Sequence, residues 1–92
     1  MWGDISFDAA KRDKTLRERG LDFADAPRLF AGLTYTRPDE RFAYSEPRFQ
    51  TFGLLDERLV MVVWAETKPG RRIISMRKCN EREQHRFGRQ LG

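Results

Sequence analysis

With 92 residues the chain has room for one domain, 1–92, with a compact core and shallow pockets, since a protein this small buries only about 60–65% of its unfolded surface. Apolar residues are 39% and charged residues 35%, and seven Phe, two Trp and two Tyr exclude a disordered chain. The one cysteine, Cys79, excludes an internal disulfide and a cysteine zinc cluster, and the longest apolar run, Leu59 to Ala65, is too short for a membrane helix.

Asp8 to Arg19 contains no Gly or Pro and is rich in good helix formers, and Gly20 suits the residue just past a helix end. These signals predict a first helix from about Phe7 to Arg19. Asp22 is the N-cap of a second, in which Phe23, Ala26, Pro27 and Phe30 share one face. Pro27 lies deep for a first turn, so that turn is bent or the helix starts later; Gly32 ends it.

Four strands follow: Leu33 to Arg37, broken by Pro38 and Asp39; Arg48 to Leu54; Arg58 to Glu66; and Arg71 to Arg77. Leu55-Asp-Glu57 and Thr67-Lys-Pro-Gly70 are tight connections, which imply antiparallel pairing. The apolar run Leu59–Trp64 calls for burial on both faces of the sheet. Asn80 then caps a C-terminal helix, with Glu83 completing a capping box and Phe87 one turn further on. The fold expected is α+β: two N-terminal helices, a four-stranded antiparallel sheet and a C-terminal helix.

Charge is unevenly placed. Residues 71–92 carry seven Lys/Arg against two Glu, while residues 1–70 carry 11 Lys/Arg against 12 Asp/Glu. A basic end on a near-neutral body suits a polyanion or an acidic protein partner. The sequence has no Gly-rich phosphate loop, no Ser-His-Asp signature and no His/Cys cluster, so neither metal nor cofactor is expected. The single His85 sits among charges and reads as a surface residue. Asp4 and Asp8 stand where a signal peptide would need basic then apolar residues, so the expected location is the cytoplasm.

What remains is arginine. On a regular strand alternate residues share a face, so Arg71, Ile73, Ser75 and Arg77 point one way and Arg72, Ile74, Met76 and Lys78 the other. Arg48 and Arg58 open the two preceding strands. The guanidinium fork matches phosphate oxygens and keeps its charge, and several around one phosphate stabilise a phosphoryl-transfer transition state. The competing reading pairs them with Glu40, Glu46, Asp56, Glu57 and Glu66 as surface ion pairs. Trp64, with Tyr35 and Tyr44, either stacks on unpaired bases or, inside an apolar run, packs in the core.

Several segments resemble the BrnT family of type II toxin–antitoxin ribonucleases, small proteins of RelE-like fold. They are Phe7-Asp-Ala-Ala-Lys11, Thr15-Leu-Arg-Glu-Arg-Gly-Leu-Asp-Phe23, the Glu46-Pro-Arg48 step running to Gly53, and above all Arg72-Ile-Ile-Ser-Met-Arg-Lys78 followed by Glu83 and Phe87. Thr15, Glu18 and Arg19 depart from the family's Asn, Lys and His. The resemblance implies a metal-independent bacterial endoribonuclease in which the RNA 2′-OH attacks the adjacent phosphate, inhibiting translation and growth. It also implies a BrnA-type antitoxin that masks the site and alone contacts operator DNA. Its candidate catalytic residues are Arg72, Arg77, Lys78, Arg48 and Lys11, with Arg71, Arg58 and Trp64 for RNA binding and Glu83 as an acid/base group. The alternative is a non-catalytic nucleic-acid-binding or corepressor module, since no conventional acid/base pair is visible.

Overall fold

The computed structural model describes residues 4–68, 70–88 and 91. Their elements run β1 (Ile5–Phe7), α1 (Ala9–Arg19), a 3-10 turn (Phe23–Asp25), α2 (Ala26–Ala31), β2 (Thr34–Pro38), β3 (Arg48–Leu55), β4 (Arg58–Glu66), β5 (Arg71–Lys78) and α3 (Glu81–Gly88). The strands form one five-stranded sheet in the order β1-β5-β4-β3-β2. Neighbours from β2 to β5 pair antiparallel, whereas β1 lies parallel to β5. The α+β class is the expected one, but the four-stranded, wholly antiparallel sheet is corrected by β1. Three residues are too few to display a strand's alternation; β1 exists because β5 offers its edge, with Arg71 N–H donating to the Asp4 carbonyl at 2.9 Å.

The first helix therefore starts later than expected. Phe7 belongs to β1, and the Asp8 carboxylate accepts the Lys11 N–H at 3.0 Å, which caps α1. Gly20 closes it in the left-handed region (φ 69°), where a Cβ would be strained, and its N–H bonds to the Leu16 carbonyl. α1 buries no residue fully and is held by polar ties. Arg12 grips both oxygens of Asp22 at 2.8 and 2.9 Å, and Arg19 donates to the Met76 carbonyl at 2.7 Å.

Asp22 caps the 3-10 turn rather than an α-helix, and α2 begins only at Ala26. Pro27 then falls in the first turn of α2, where its missing N–H costs no helical bond. Leu29, fully buried, descends onto Gly53 of β3, where a Cβ would stand 2.8 Å from the Leu29 side chain. At the β3–β4 turn Asp56 (φ 49°) and Glu57 (φ 68°) adopt the left-handed backbone that a two-residue hairpin of the strands' twist requires.

β4 is the centre of the protein: Leu59 through Ala65 are all buried. Val60, Val62 and Trp64 face α1 and α2, joined by Phe23, Leu29, Phe30, Ile73 and Met76. Leu59, Met61 and Val63 face α3, with Phe52, Cys79, Phe87 and Leu91. Burial of each such side chain is worth about 1.5–3 kcal/mol, so two apolar layers form despite the small size. Among the described residues no helix is long and apolar enough to cross a membrane.

Candidate active site

The pairing of β4 with β5 slips once: Val63 pairs with Ser75 and Trp64 with Ile73, leaving Ile74 as an extra residue. Such a bulge reverses the alternation of side chains beyond it. Ile73 and Met76, three residues apart, thus both enter the core under α1 and α2. Arg77 lies opposite Met61 and Arg72 opposite Ala65, on the α3 side of β4. The expectation that Arg72 and Arg77 point to opposite faces is corrected by that one residue. Arg71 goes to the other face instead.

Register brings further basic residues to the same face. Arg48 pairs with Ala65 and Gln50 with Val63; Arg37 of β2 pairs with Gln50. α3 covers only part of this face, because the helix is eight residues long and its buried anchor is Phe87. Phe87 stacks on Phe52 (centroids 4.1 Å) and Tyr35 (5.6 Å). Arg37, Arg48, Arg72 and Arg77 are consequently half-buried on the sheet rather than sealed beneath the helix.

Each arginine is held in place. Arg77 reaches both oxygens of Glu83 at 2.8 and 2.7 Å, and Glu83 also accepts the Asn80 N–H at 2.9 Å while Asn80 caps the Glu83 N–H at 2.8 Å. The capping box is thus present, and its carboxylate doubles as a clamp on Arg77. The Arg77 hydrogen bonds pull the Glu83 carboxyl down to about 2 against the opposition of burial, with Arg37 adding its charge. Arg77 is raised in return, chiefly by Glu83, while nearby Arg41 opposes it. Arg72 is paired with Glu46. Arg37 donates to Gln50 at 2.7 Å and lies 4.9 Å from the Phe87 ring centroid. Arg48 lies over Tyr44 at 4.2 Å, and its buried Nε has no hydrogen-bond partner among the described residues.

The segment between β2 and β3, residues 39–47, closes one end of this face. Its hub is Asp39, whose fully buried side chain takes two hydrogen bonds from the Arg41 guanidinium at 2.8 Å and one from the Tyr44 hydroxyl at 3.1 Å. Those contacts, the Arg41 bonds foremost, hold the Asp39 carboxyl at about 2. Sequence reading passed over Arg37, Arg41 and Gln50. Arg37 was accessible to it through strand alternation; Arg41 was not, because loop geometry decides where it points.

The other candidates lie elsewhere. Trp64 is in the core, donating to the Thr51 hydroxyl at 2.7 Å and packed edge-on to Phe30, so its ring offers no stacking surface. Arg71 sits over Phe30 (4.0 Å) and Trp64 (4.8 Å) on the α2 side, where burial lowers its pKa. Arg58 donates to the Cys79 carbonyl at 2.9 Å. Lys78, opposite Val60, borders a small cavity of about 180 Å³ with Arg58, Asp22, Asp25 and Asp56 on the far face. Lys11 is an exposed residue of α1, and among the described residues no hydrogen bond or ion pair joins it to the arginine cluster. Three expected catalytic residues, Arg48, Arg72 and Arg77, therefore share one face of the sheet, whereas Lys78 lies on the other face and Lys11 on α1. Among the described residues no three His, Cys, Asp or Glu converge as a metal site.

Residues 7–83 match the model of a protein family described as the ribonuclease toxin BrnT of type II toxin–antitoxin systems. The matched span contains every arginine of the cluster and reaches Glu83. No curated protein matches the chain significantly.

Proposed function

The chain belongs to the BrnT family of ribonuclease toxins of type II toxin–antitoxin systems, and we propose that it is a metal-independent endoribonuclease working on the α3 face of its sheet. The observation that supports this reading is the β5 bulge, which puts Arg72 and Arg77 on the same sheet face as Arg48, with Arg48 and Arg72 both opposite Ala65 and Arg77 further along β4 opposite Met61. Fixed guanidinium charge suits a pentacoordinate phosphorus, whose equatorial oxygens gain charge as bonds form and break. The RNA 2′-oxygen attacks phosphorus and the bond to the 5′-oxygen breaks, leaving a 2′,3′-cyclic phosphate and a 5′-OH. Glu46 accepts the 2′-OH proton, and water protonates the leaving oxygen. Glu46 is better suited to that role than Glu83: it is 39% exposed and set against Arg72. Glu83 is committed to Arg77 and Asn80, and a carboxylate held at about 2 is a poor base.

Toxin–antitoxin family membership carries an RNA substrate and an antitoxin partner. In the finer reading the antitoxin is a BrnA-type protein that covers the arginines and alone contacts operator DNA. RNA cleavage by the free toxin then stops translation and growth in the bacterial cytoplasm.

The test is incubation of purified protein with naked RNA in EDTA and mapping of the 3′ ends. Wild type is expected to leave cyclic phosphates, and Arg72→Ala and Arg77→Ala each to lose about 10²–10³ in rate while remaining folded. A folded double variant cutting at the wild-type rate would place the site elsewhere. Salt-sensitive RNA binding without new ends would make the protein a non-catalytic binding module.

A further inference from the structure

Beneath residues 39–47, next to the arginine cluster, lies an open groove of about 410 Å³, lined by Pro38, Phe42, Tyr44, Glu46, Arg48 and Phe49 among others. Neither the family match nor the cleavage chemistry accounts for it. Three features describe what it suits. Phe42 is an exposed aromatic, 70% accessible, and meets Tyr44 edge-on with centroids 5.8 Å apart. An exposed ring of this kind presents a flat π-face on which a base can stack. Arg48 lines the groove with its guanidinium 4.2 Å over the Tyr44 ring, which gives the site a fixed positive charge beside an aromatic wall. The groove is also continuous with the cleavage face, since its lining residue Arg48 belongs to the arginine cluster and its lining residue Glu46 pairs with Arg72.

The segment is already shaped before any ligand arrives. The Asp39 N–H donates to the Arg48 carbonyl at 2.8 Å, and the buried Asp39 carboxylate ties Arg41 and Tyr44. A preformed concave site pays little ordering cost on binding. A volume of this size lies in the range of small-ligand pockets.

We propose that this groove holds one unpaired nucleobase of the substrate RNA, the base flanking the phosphate that the arginines grip, with Phe42 as its stacking platform. The inference rests on the reading of the neighbouring arginines as the RNA site. Stacking gives affinity to any base, because every base has a π-face, and the polar groups around the groove add preference among them. The groove is therefore where cut-site selection arises, whereas the guanidinium groups grip the backbone without regard to sequence.

The experiment uses short single-stranded RNA made uncleavable by 2′-O-methyl sugars throughout, with 2-aminopurine placed in turn at each position. Wild type is expected to quench the fluorophore at one position. Phe42→Ala should abolish that quench and raise Kd about 5–100-fold, while Phe42→Tyr preserves both. An abasic residue at that position should weaken wild type and leave Phe42→Ala unaffected. Equal quench and Kd for wild type and Phe42→Ala, or no quench at any position, would overturn the proposal. Because this readout needs no turnover, its failure is separable from that of the cleavage reading: quench without cleavage in EDTA removes the nuclease chemistry and keeps the base site.

Discussion

Replacing Glu83 with Gln tests whether its carboxylate is a clamp rather than an acid/base group. Gln keeps the length and hydrogen-bonding capacity that the capping box needs, so the change removes charge and little else. The Glu83 carboxyl is held at about 2 against an ordinary 4.5, first by the Arg77 hydrogen bonds and then by the Asn80 N–H. At about 1.4 kcal/mol per pH unit that difference corresponds to roughly 3 kcal/mol. Glu83 is 18% exposed but Arg77 is 38% exposed, so solvent screens one end of the pair, and about 1–2 kcal/mol is the expected cost. The folded carboxyl is depressed, so its contribution is complete above about pH 4.5 and disappears as pH falls towards 2. Urea titrations at several pH values should show Glu83→Gln less stable than wild type at pH 7, with the gap closing below pH 4.5. An equal gap at pH 3 and pH 7, or none at pH 7, would refute the clamp.

Four further outcomes are expected. Lys11→Ala and Lys78→Ala should cut RNA within about twofold of wild type, because both are separated from the arginine cluster and their charge is screened; a loss as large as that of Arg77→Ala in a cleavage assay would bring them back into the site. Trp64→Phe should cost about 1–3 kcal/mol in urea unfolding by removing the bond to Thr51, yet leave RNA affinity intact at temperatures where it is folded. Gly53→Ala should lower stability by about 1–3 kcal/mol, since its Cβ would collide with buried Leu29; a calorimetric scan that shows no loss would mean α2 shifts freely. Cys79 is fully buried, and burial pushes its thiol up to about 11, so thiol reagents at neutral pH should label it only at the rate of unfolding; rapid labelling of the folded protein would contradict its burial.

Local sequence determined much of this protein. Asp8 and Gly20 bound α1, the Asn80–Glu83 box opens α3, and the apolar run of β4 demands cover on both faces, because caps, left-handed termini and burial act over a few residues. The family resemblance, carried by short strings of residues, was legible for the same reason and agrees with the match over 7–83. The strand at Ile5–Phe7 was not legible, since its pairing partner lies more than sixty residues away in sequence and three residues show no period of their own. Nor was the face on which each arginine lies. Alternation assigned Arg72 and Arg77 to opposite sides, and only the register of β5 against β4 inserts the extra residue, Ile74, that unites them. The same dependence on pairing put Trp64 into the core and Lys78 on the far face. Residue types state what chemistry is affordable, but strand register, settled by packing between distant segments, decides which of them meet.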